Sequence, residues 1–283
     1  MIQQIILTIF GVLVSLENLV VVLAAFRKKC IRENTHCNLV VSLSVYDFLL
    51  GLTIILYGTM IVPNYDSNDE NLYKVCAVYF CVTAWIYLTS LVQTFFISLN
   101  RYLVITESKL NDILWNGKRK YITFCVTGMS IFILNTSILT SIMRGCDMDS
   151  ILGNTVYAVM FGSFQALTLC LTFVFYFLTL WKIYKLHQKT DCNLEHIDNN
   201  RRRINRMRKR MVKSMKVVSL ILITFMIAMI PAIVIGLKGV TSRLDIFVLV
   251  CFSVLNSGLN PIIYCTQIDD LKKEIKTMFR IGR

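Results

Sequence analysis

The sequence predicts an all-α membrane protein: a seven-transmembrane helix bundle followed by a short amphipathic C-terminal helix. Three observations predict it. Of 283 residues, 55% are hydrophobic and only 17% are charged, whereas a soluble domain carries roughly 25% charged residues. The apolar residues fall into long runs that are poor in charge. The basic residues cluster in alternate gaps between those runs. A soluble enzyme, a disordered chain and a disulfide-stapled miniprotein are excluded by these figures.

A membrane helix needs about 20 mostly apolar residues, because the hydrocarbon core is about 30 Å thick and a helix rises about 1.5 Å per residue. Seven stretches qualify, near 2–26, 38–62, 75–104, 120–143, 153–181, 212–237 and 246–266. Residues 121–143, 153–181, 217–237 and 246–268 hold no charge at all. Barrel strands would be about 10 residues long and strictly alternating, so a β-barrel is ruled out. There is no repeat and no long linker, and residues 1–283 read as one domain. The opening run ends in Arg27-Lys28-Lys29 and reads as a signal anchor rather than a cleaved signal.

The charges set the orientation. Of the 30 Lys and Arg, 26 fall on one side: residues 27–36, Arg101 with 103–120, 182–216, and the tail. The other side has Lys74, Arg144, Lys238 and Arg243 against Asp66, Asp69, Glu70, Asp147, Asp149 and Asp245. Cytoplasmic loops are enriched in Lys and Arg, so the N-terminus is expected outside the plasma membrane and the C-terminus in the cytoplasm. The only N-x-S/T sequon, at Asn135, lies inside the fourth span, out of reach of glycosylation.

A polar group facing lipid is costly, so polar residues within the spans should share an inward face. Thr83, Tyr87, Ser90, Thr94 and Arg101 make one stripe on the third span. Ser253, Asn256, Ser257, Asn260 and Tyr264 make one on the seventh. Ser44 and Asp47 lie one turn apart on the second. Most intramembrane Ser and Thr serve packing. A buried carboxylate such as Asp47 needs a cation, a proton or several donors.

The seventh span ends Asn256-Ser257-Gly258-Leu259-Asn260-Pro261-Ile262-Ile263-Tyr264, and the second carries Leu43-Ser44-Val45-Tyr46-Asp47. The third begins at Cys76 and ends Asn100-Arg101-Tyr102, the first holds Asn18, and the sixth has Phe225 six residues before Pro231. Together these fragments resemble the rhodopsin-like (class A) G-protein-coupled receptors over the whole chain. The resemblance implies a receptor that does no covalent chemistry and converts binding of an extracellular ligand into G-protein activation. It implies a disulfide between Cys76 and Cys146, with the remaining eight cysteines free. It implies an activation switch at Asn100, Arg101, Tyr102, Tyr176, Phe225, Met229, Pro231, Asn260, Pro261 and Tyr264. It also implies an allosteric sodium site at Asp47, Ser90, Asn256, Ser257 and Asn260, a donor set of the hard oxygens sodium prefers. No other cofactor is expected.

The chain departs from the family at several places. The usual acid before Arg101 is Asn100, and Met211 stands where a second acid is frequent at the base of the sixth span. Asn offers Arg101 only a neutral hydrogen bond, roughly half as strong as a charged one, so elevated basal signalling is expected. The fifth span has no proline, Thr168 standing at its usual place. Met229 replaces a usual tryptophan, and the fourth span has no tryptophan, Trp115 lying in the loop before it.

The family's ligand pocket projects onto Tyr57, Phe80, Thr83, Ala84, Tyr87, Met229, Ala232, Ile233, Val250 and Val254. Aminergic relatives have an aspartate at the place of Thr83, and light-sensing relatives a lysine at the place of Val254. A typical monoamine and a retinal Schiff base are therefore disfavoured. The lining suits a neutral or lipid-like molecule, or the end of a peptide. The outer acids Asp66, Asp69 and Glu70 read as a solvated loop, and Glu17 as a protonated acid within the bundle.

Residues 201–216 hold nine basic and no acidic residues. They suit anionic lipid and, by the resemblance, a G-protein contact; nucleic acid is not an expected partner. Residues 268–280 place Ile268, Leu271, Ile275, Met278 and Phe279 on one side of a helix, with no cysteine after them for a palmitoyl anchor. His36, His187 and His196 are expected in cytoplasmic loops, too scattered for a metal. The alternatives are a non-signalling decoy or dimer partner, told apart by G-protein assays, and an ion-translocating transporter, told apart by ion flux.

Overall fold

A computed structural model describes residues 2–28, 35–61, 70–115, 119–142, 155–192 and 243–280, with residues 219, 220, 223 and 227. Among the described residues every regular element is helical. The first span is Ile2–Arg27 and the second Thr35–Leu56, which ends in a π-helical turn at Tyr57–Ile61. The third is Glu70–Ile105, the fourth Arg119–Ile142, the fifth Thr155–Cys192 and the seventh Arg243–Gln267. A tail helix follows at Asp269–Arg280. Five of these helices are long and apolar enough to cross a membrane, and Val250–Cys265 adds a shorter apolar stretch. The expected sixth span, 212–237, lies almost wholly outside the described residues; its residues 219, 220, 223 and 227 are helical.

The helices outrun their apolar cores. The fifth continues to Cys192, past Lys182 and Lys185, because hydropathy marks the membrane and not the end of a helix. His36 and His187 therefore sit on helices, not in loops. A short helix at Lys109–Trp115, expected as loop, joins the third span to the fourth.

The chain enters that short helix through a defined stop. Ser108 N donates to the Leu103 carbonyl at 3.1 Å and Glu107 N to the Val104 carbonyl at 3.3 Å. Glu107 has φ 51°, the left-handed residue such a helix stop requires. The Ser108 hydroxyl then accepts from Leu110 N at 3.3 Å, capping the new helix.

The first and second spans touch backbone to backbone. A Cβ at Gly51 would lie 2.8 Å from Ser15 N and 2.9 Å from the Gly11 carbonyl oxygen. Small residues let membrane helices approach this closely. Two large apolar clusters occupy the two ends of the bundle, and a smaller one of Leu88, Leu91, Val92 and Ile131 joins the third and fourth spans. One large cluster, toward the tail helix, includes Val21, Leu43, Ile97, Trp115, Tyr264 and Leu271. The other, toward the opposite end, includes Leu7, Leu50, Tyr57, Cys76, Phe80 and Val254.

The tail helix is held to the first span. Leu271 is buried, Ile268, Ile275 and Met278 pack beside it, and Phe279 points outward, 74% exposed. Glu274 is buried on the same inner side, where Lys28 Nζ lies 3.0 Å and Arg27 Nε 3.8 Å from its carboxylate.

Candidate functional site

Between the two clusters lies a polar knot. Asp47 is fully buried. Its Oδ1 accepts from Ser90 Oγ at 2.9 Å and from Ser257 Oγ at 2.8 Å, and its Oδ2 accepts from Asn260 Nδ2 at 2.9 Å. The second, third and seventh spans thus meet at one carboxylate, and each partner sits on the stripe that the helical spacing predicts. Bonds to a charged acceptor contribute roughly 1.5–3 kcal/mol each. They offset a desolvation cost of several kcal/mol for the buried ion.

Pro261 shapes the seventh span beside this knot. Proline has no N–H, so the carbonyl four residues earlier loses its helical partner. That carbonyl belongs to Ser257, and Asn18 Nδ2 donates to it at 3.1 Å. The same amide also donates to the Val14 carbonyl at 3.0 Å. Asn18 therefore binds the first span to the carbonyl that the proline exposes. Glu17, half-buried on the same seam, has Oε2 3.9 Å from the place a Cβ at Gly258 would take.

The donor set around Asp47 fits a hard monovalent cation. The Oδ1 atoms of Asn256 and Asn260 and the Ser44 hydroxyl are buried without a hydrogen-bond partner. These acceptors and one carboxylate are the oxygens such an ion would use. Asn256, expected in the same set, is buried but does not hydrogen-bond Asp47. Among the described residues no group of three His, Cys, Asp or Glu could hold a transition metal.

Toward the tail helix, Asn100 is buried and Arg101 half-buried. Arg101 makes no salt bridge with a described residue, and its Nε has no partner. Asn100 does not turn toward it: its Nδ2 donates to Asn111 Oδ1 on the short helix at 3.1 Å. Tyr102 packs on Phe175, ring centroids 5.5 Å apart. The Tyr176 hydroxyl is hydrogen-bonded to Ser219 of the sixth span. Tyr264 is fully buried with its hydroxyl unpartnered, and Pro261 is buried. Phe225, Met229 and Pro231 lie outside the described residues.

At the opposite end Tyr57, Phe80, Ala84, Tyr87, Val250 and Val254 gather in one cluster, with Thr83 half-buried on the same helix. Tyr57 stacks on Tyr79 at 5.9 Å, and Tyr87 on Phe161 at 5.9 Å. Ala232 and Ile233 lie outside the described residues. Cys76 is buried and disulfide-bonded, while Cys146 is outside them. Among the described residues Cys37, Cys81, Cys125, Cys170, Cys251 and Cys265 are not in a disulfide.

Several site residues escape a reading of the sequence. Gln165 Nε2 donates to the Tyr87 hydroxyl at 2.9 Å, placing an amide among the apolar rings. Trp85 Nε1 donates to the Gly128 carbonyl at 2.9 Å and its ring meets Phe132 edge-on at 5.5 Å. An indole from the third span thus packs against the fourth, which has no tryptophan of its own. Asn135 of the sequon is buried and donates to the Cys81 carbonyl at 3.1 Å.

Comparison with known proteins agrees with this geometry. The family model described as 7 transmembrane receptor (rhodopsin family) matches residues 17–264. The histamine H2 receptor of Cavia porcellus is 25% identical over 280 residues, covering 93% of this chain and 75% of that receptor. The histamine H2 receptors of Canis lupus familiaris and Rattus norvegicus are each 23% identical, covering 98% of this chain and 79% and 78% of theirs. The match extends from the Glu17-Asn18 pair to Tyr264 and takes in the knot at Asp47, Arg101 and the proline-bearing seventh span, so the chain belongs to the rhodopsin family of seven-transmembrane receptors.

Proposed function

We propose that this receptor takes a neutral or lipid-like small molecule, or the end of a peptide, from outside the cell, and does not take a typical monoamine. The observation that carries this is the cluster around Tyr57, Phe80, Tyr87 and Val254. It offers aromatic rings, a hydroxyl and the Gln165 amide, and Thr83 supplies a hydroxyl where an ammonium would need a carboxylate. The histamine H2 receptors it resembles are named for an amine, so histamine is the discriminating ligand.

The ligand shifts a conformational equilibrium by binding one state more tightly than the other. The sixth span then opens at its cytoplasmic end, and a G protein binds Arg101 and its surroundings. Sodium at Asp47 favours the closed packing, held by Ser90, Ser257, Asn256 and Asn260. The N-terminus is outside and the basic loops are in the cytoplasm, where 201–216 meets anionic lipid and the G protein.

A ligand library containing histamine, read out by G-protein dissociation in cells expressing the chain, tests the reading. Neutral or peptide ligands are expected to activate it, and Arg101→Ala to abolish the response. Activation by histamine at the potency of a cognate amine would overturn the ligand class. Silence with every G protein would favour a decoy.

A further inference from the structure

Glu17 precedes Arg27, the charged end of the first span, by ten residues, which is about 15 Å at about 1.5 Å per residue. The hydrocarbon core is about 30 Å thick, so this carboxyl sits near its middle. It is half-buried, with one side open to lipid. The side chain emerges beside Gly258 of the seventh span, where a Cβ would lie 3.9 Å from Oε2. Leu13 and Val20, one turn to either side, also face outward, as do Leu255 and Ile262 of the seventh span.

No described residue gives this carboxyl a hydrogen bond or an ion pair. The adjacent amide of Asn18 is spent on the carbonyls of Val14 and Ser257. The basic residues that close the first span, Arg27 and Lys28, face Glu274. A charge at this depth is expensive, so the group is a neutral acid, with one O–H to donate and oxygens to accept. Acyl chains offer neither, and lipid headgroups end about 15 Å away. A partner at this depth has to come from another transmembrane helix.

We propose that the seam of the first and seventh spans is the contact surface of a homodimer, in which Glu17 of one copy pairs with Glu17 of the second through two reciprocal hydrogen bonds. Both copies cross the membrane in the same direction, so a two-fold axis along the bilayer normal brings equal residues to equal depth. A neutral acid is its own complement. The bare backbone at Gly258 lets a second helix come close, and Leu13 and Val20 pack around the pair. The inference is independent of the ligand and of the coupling proposed above.

Full-length chains carrying donor or acceptor dye, mixed in phosphatidylcholine vesicles and diluted into lipid, report association by energy transfer. The native chain is expected to self-associate. Glu17→Leu should weaken association about 10–100-fold, the effect of two interhelical hydrogen bonds. Glu17→Gln should stay within about threefold of native, because an amide also donates and accepts. Leu13→Cys should give a disulfide between copies at residue 13 on mild oxidation, identified by mass spectrometry. Val12→Cys, exposed but turned about 140° from Glu17, should not.

A native chain that stays monomeric at every dilution overturns the proposal, and so does a Glu17→Leu chain that associates as tightly as native. If Glu17→Gln associates as weakly as Glu17→Leu, hydrogen bonds do not hold the pair. Cross-linking through residue 12 instead of 13 rules out this face. In detergent that keeps the chain monomeric, Glu17→Leu should unfold no earlier than native. An earlier midpoint would give the carboxyl a partner within its own chain and overturn the pairing.

Discussion

The carbonyl of Ser257 offers a test of how the seventh span is held. In Asn18→Ala that carbonyl loses the Asn18 amide, 3.1 Å away, and Pro261 cannot supply an N–H in its place. A buried acceptor left without a donor costs roughly 1–3 kcal/mol. Hydrogen bonds between membrane helices average lower, about 0.6 kcal/mol, because the separated helices find other partners. A carbonyl facing a proline has few others, so a loss of about 1–2 kcal/mol is expected. For a chain of this size that lowers the thermal midpoint by about 2–6 °C. Adding Pro261→Ala restores a backbone N–H four residues along. The double variant should therefore be less destabilised than the sum of the singles by about 1 kcal/mol, a coupling that only residues sharing a partner show. Thermal unfolding of the four proteins in one detergent, followed by labelling of newly exposed thiols, measures it. Strict additivity would refute the argument that Asn18 replaces the bond that proline removes.

Exchanging sodium for choline at constant ionic strength should lower the midpoint by about 3–5 °C if sodium stands at ten times its Kd. Asp47→Asn should abolish that difference; an undiminished sodium shift in the variant counts against the cation site. Gly51→Ala places a Cβ against the backbone of the first span and should cost roughly 1–3 kcal/mol, seen as reduced surface expression and a lower midpoint. Glu274→Gln should loosen the tail helix by less than about 1 kcal/mol, since its partners Arg27 and Lys28 are nearly half exposed. The readout is deuterium uptake over 269–280, which should become insensitive to salt. Thr83→Asp, but not Thr83→Asn, should raise affinity for histamine about 10–100-fold, the effect of one charge-assisted contact, measured by radioligand binding.

The knot at Asp47 was legible in the sequence because lipid leaves intramembrane polar residues so few places to go. Once Ser90, Ser257 and Asn260 are placed on inward stripes, a lone carboxylate between them has little choice of partner. Helix ends are less legible: the fifth helix runs on to Cys192, past the expected 181. What the pattern does not carry is the rotation and depth of one helix against another. Asn100 could have served Arg101 or the loop, and only the path of the chain through Glu107 brings Asn111 into reach. The helix at Lys109–Trp115 carries Leu110, Ile113 and Leu114 at helical spacing, but Leu110 and Ile113 are exposed, and it is the burial of Trp115 that anchors it. Glu274 reads as a surface charge until Lys28 is found beside it. Gln165 and Tyr87 are 78 positions apart, and nothing local marks them as a pair.

The indole of Trp85 has a practical consequence for anyone engineering this protein. Space between the third and fourth spans is a shared volume, and here the third span already occupies it. A side chain placed at Gly128 would start 3.6 Å from the Tyr46 hydroxyl, on the residue whose carbonyl takes the Trp85 N–H. Enlarging the fourth span on this seam therefore has to be designed together with Trp85, not one residue at a time.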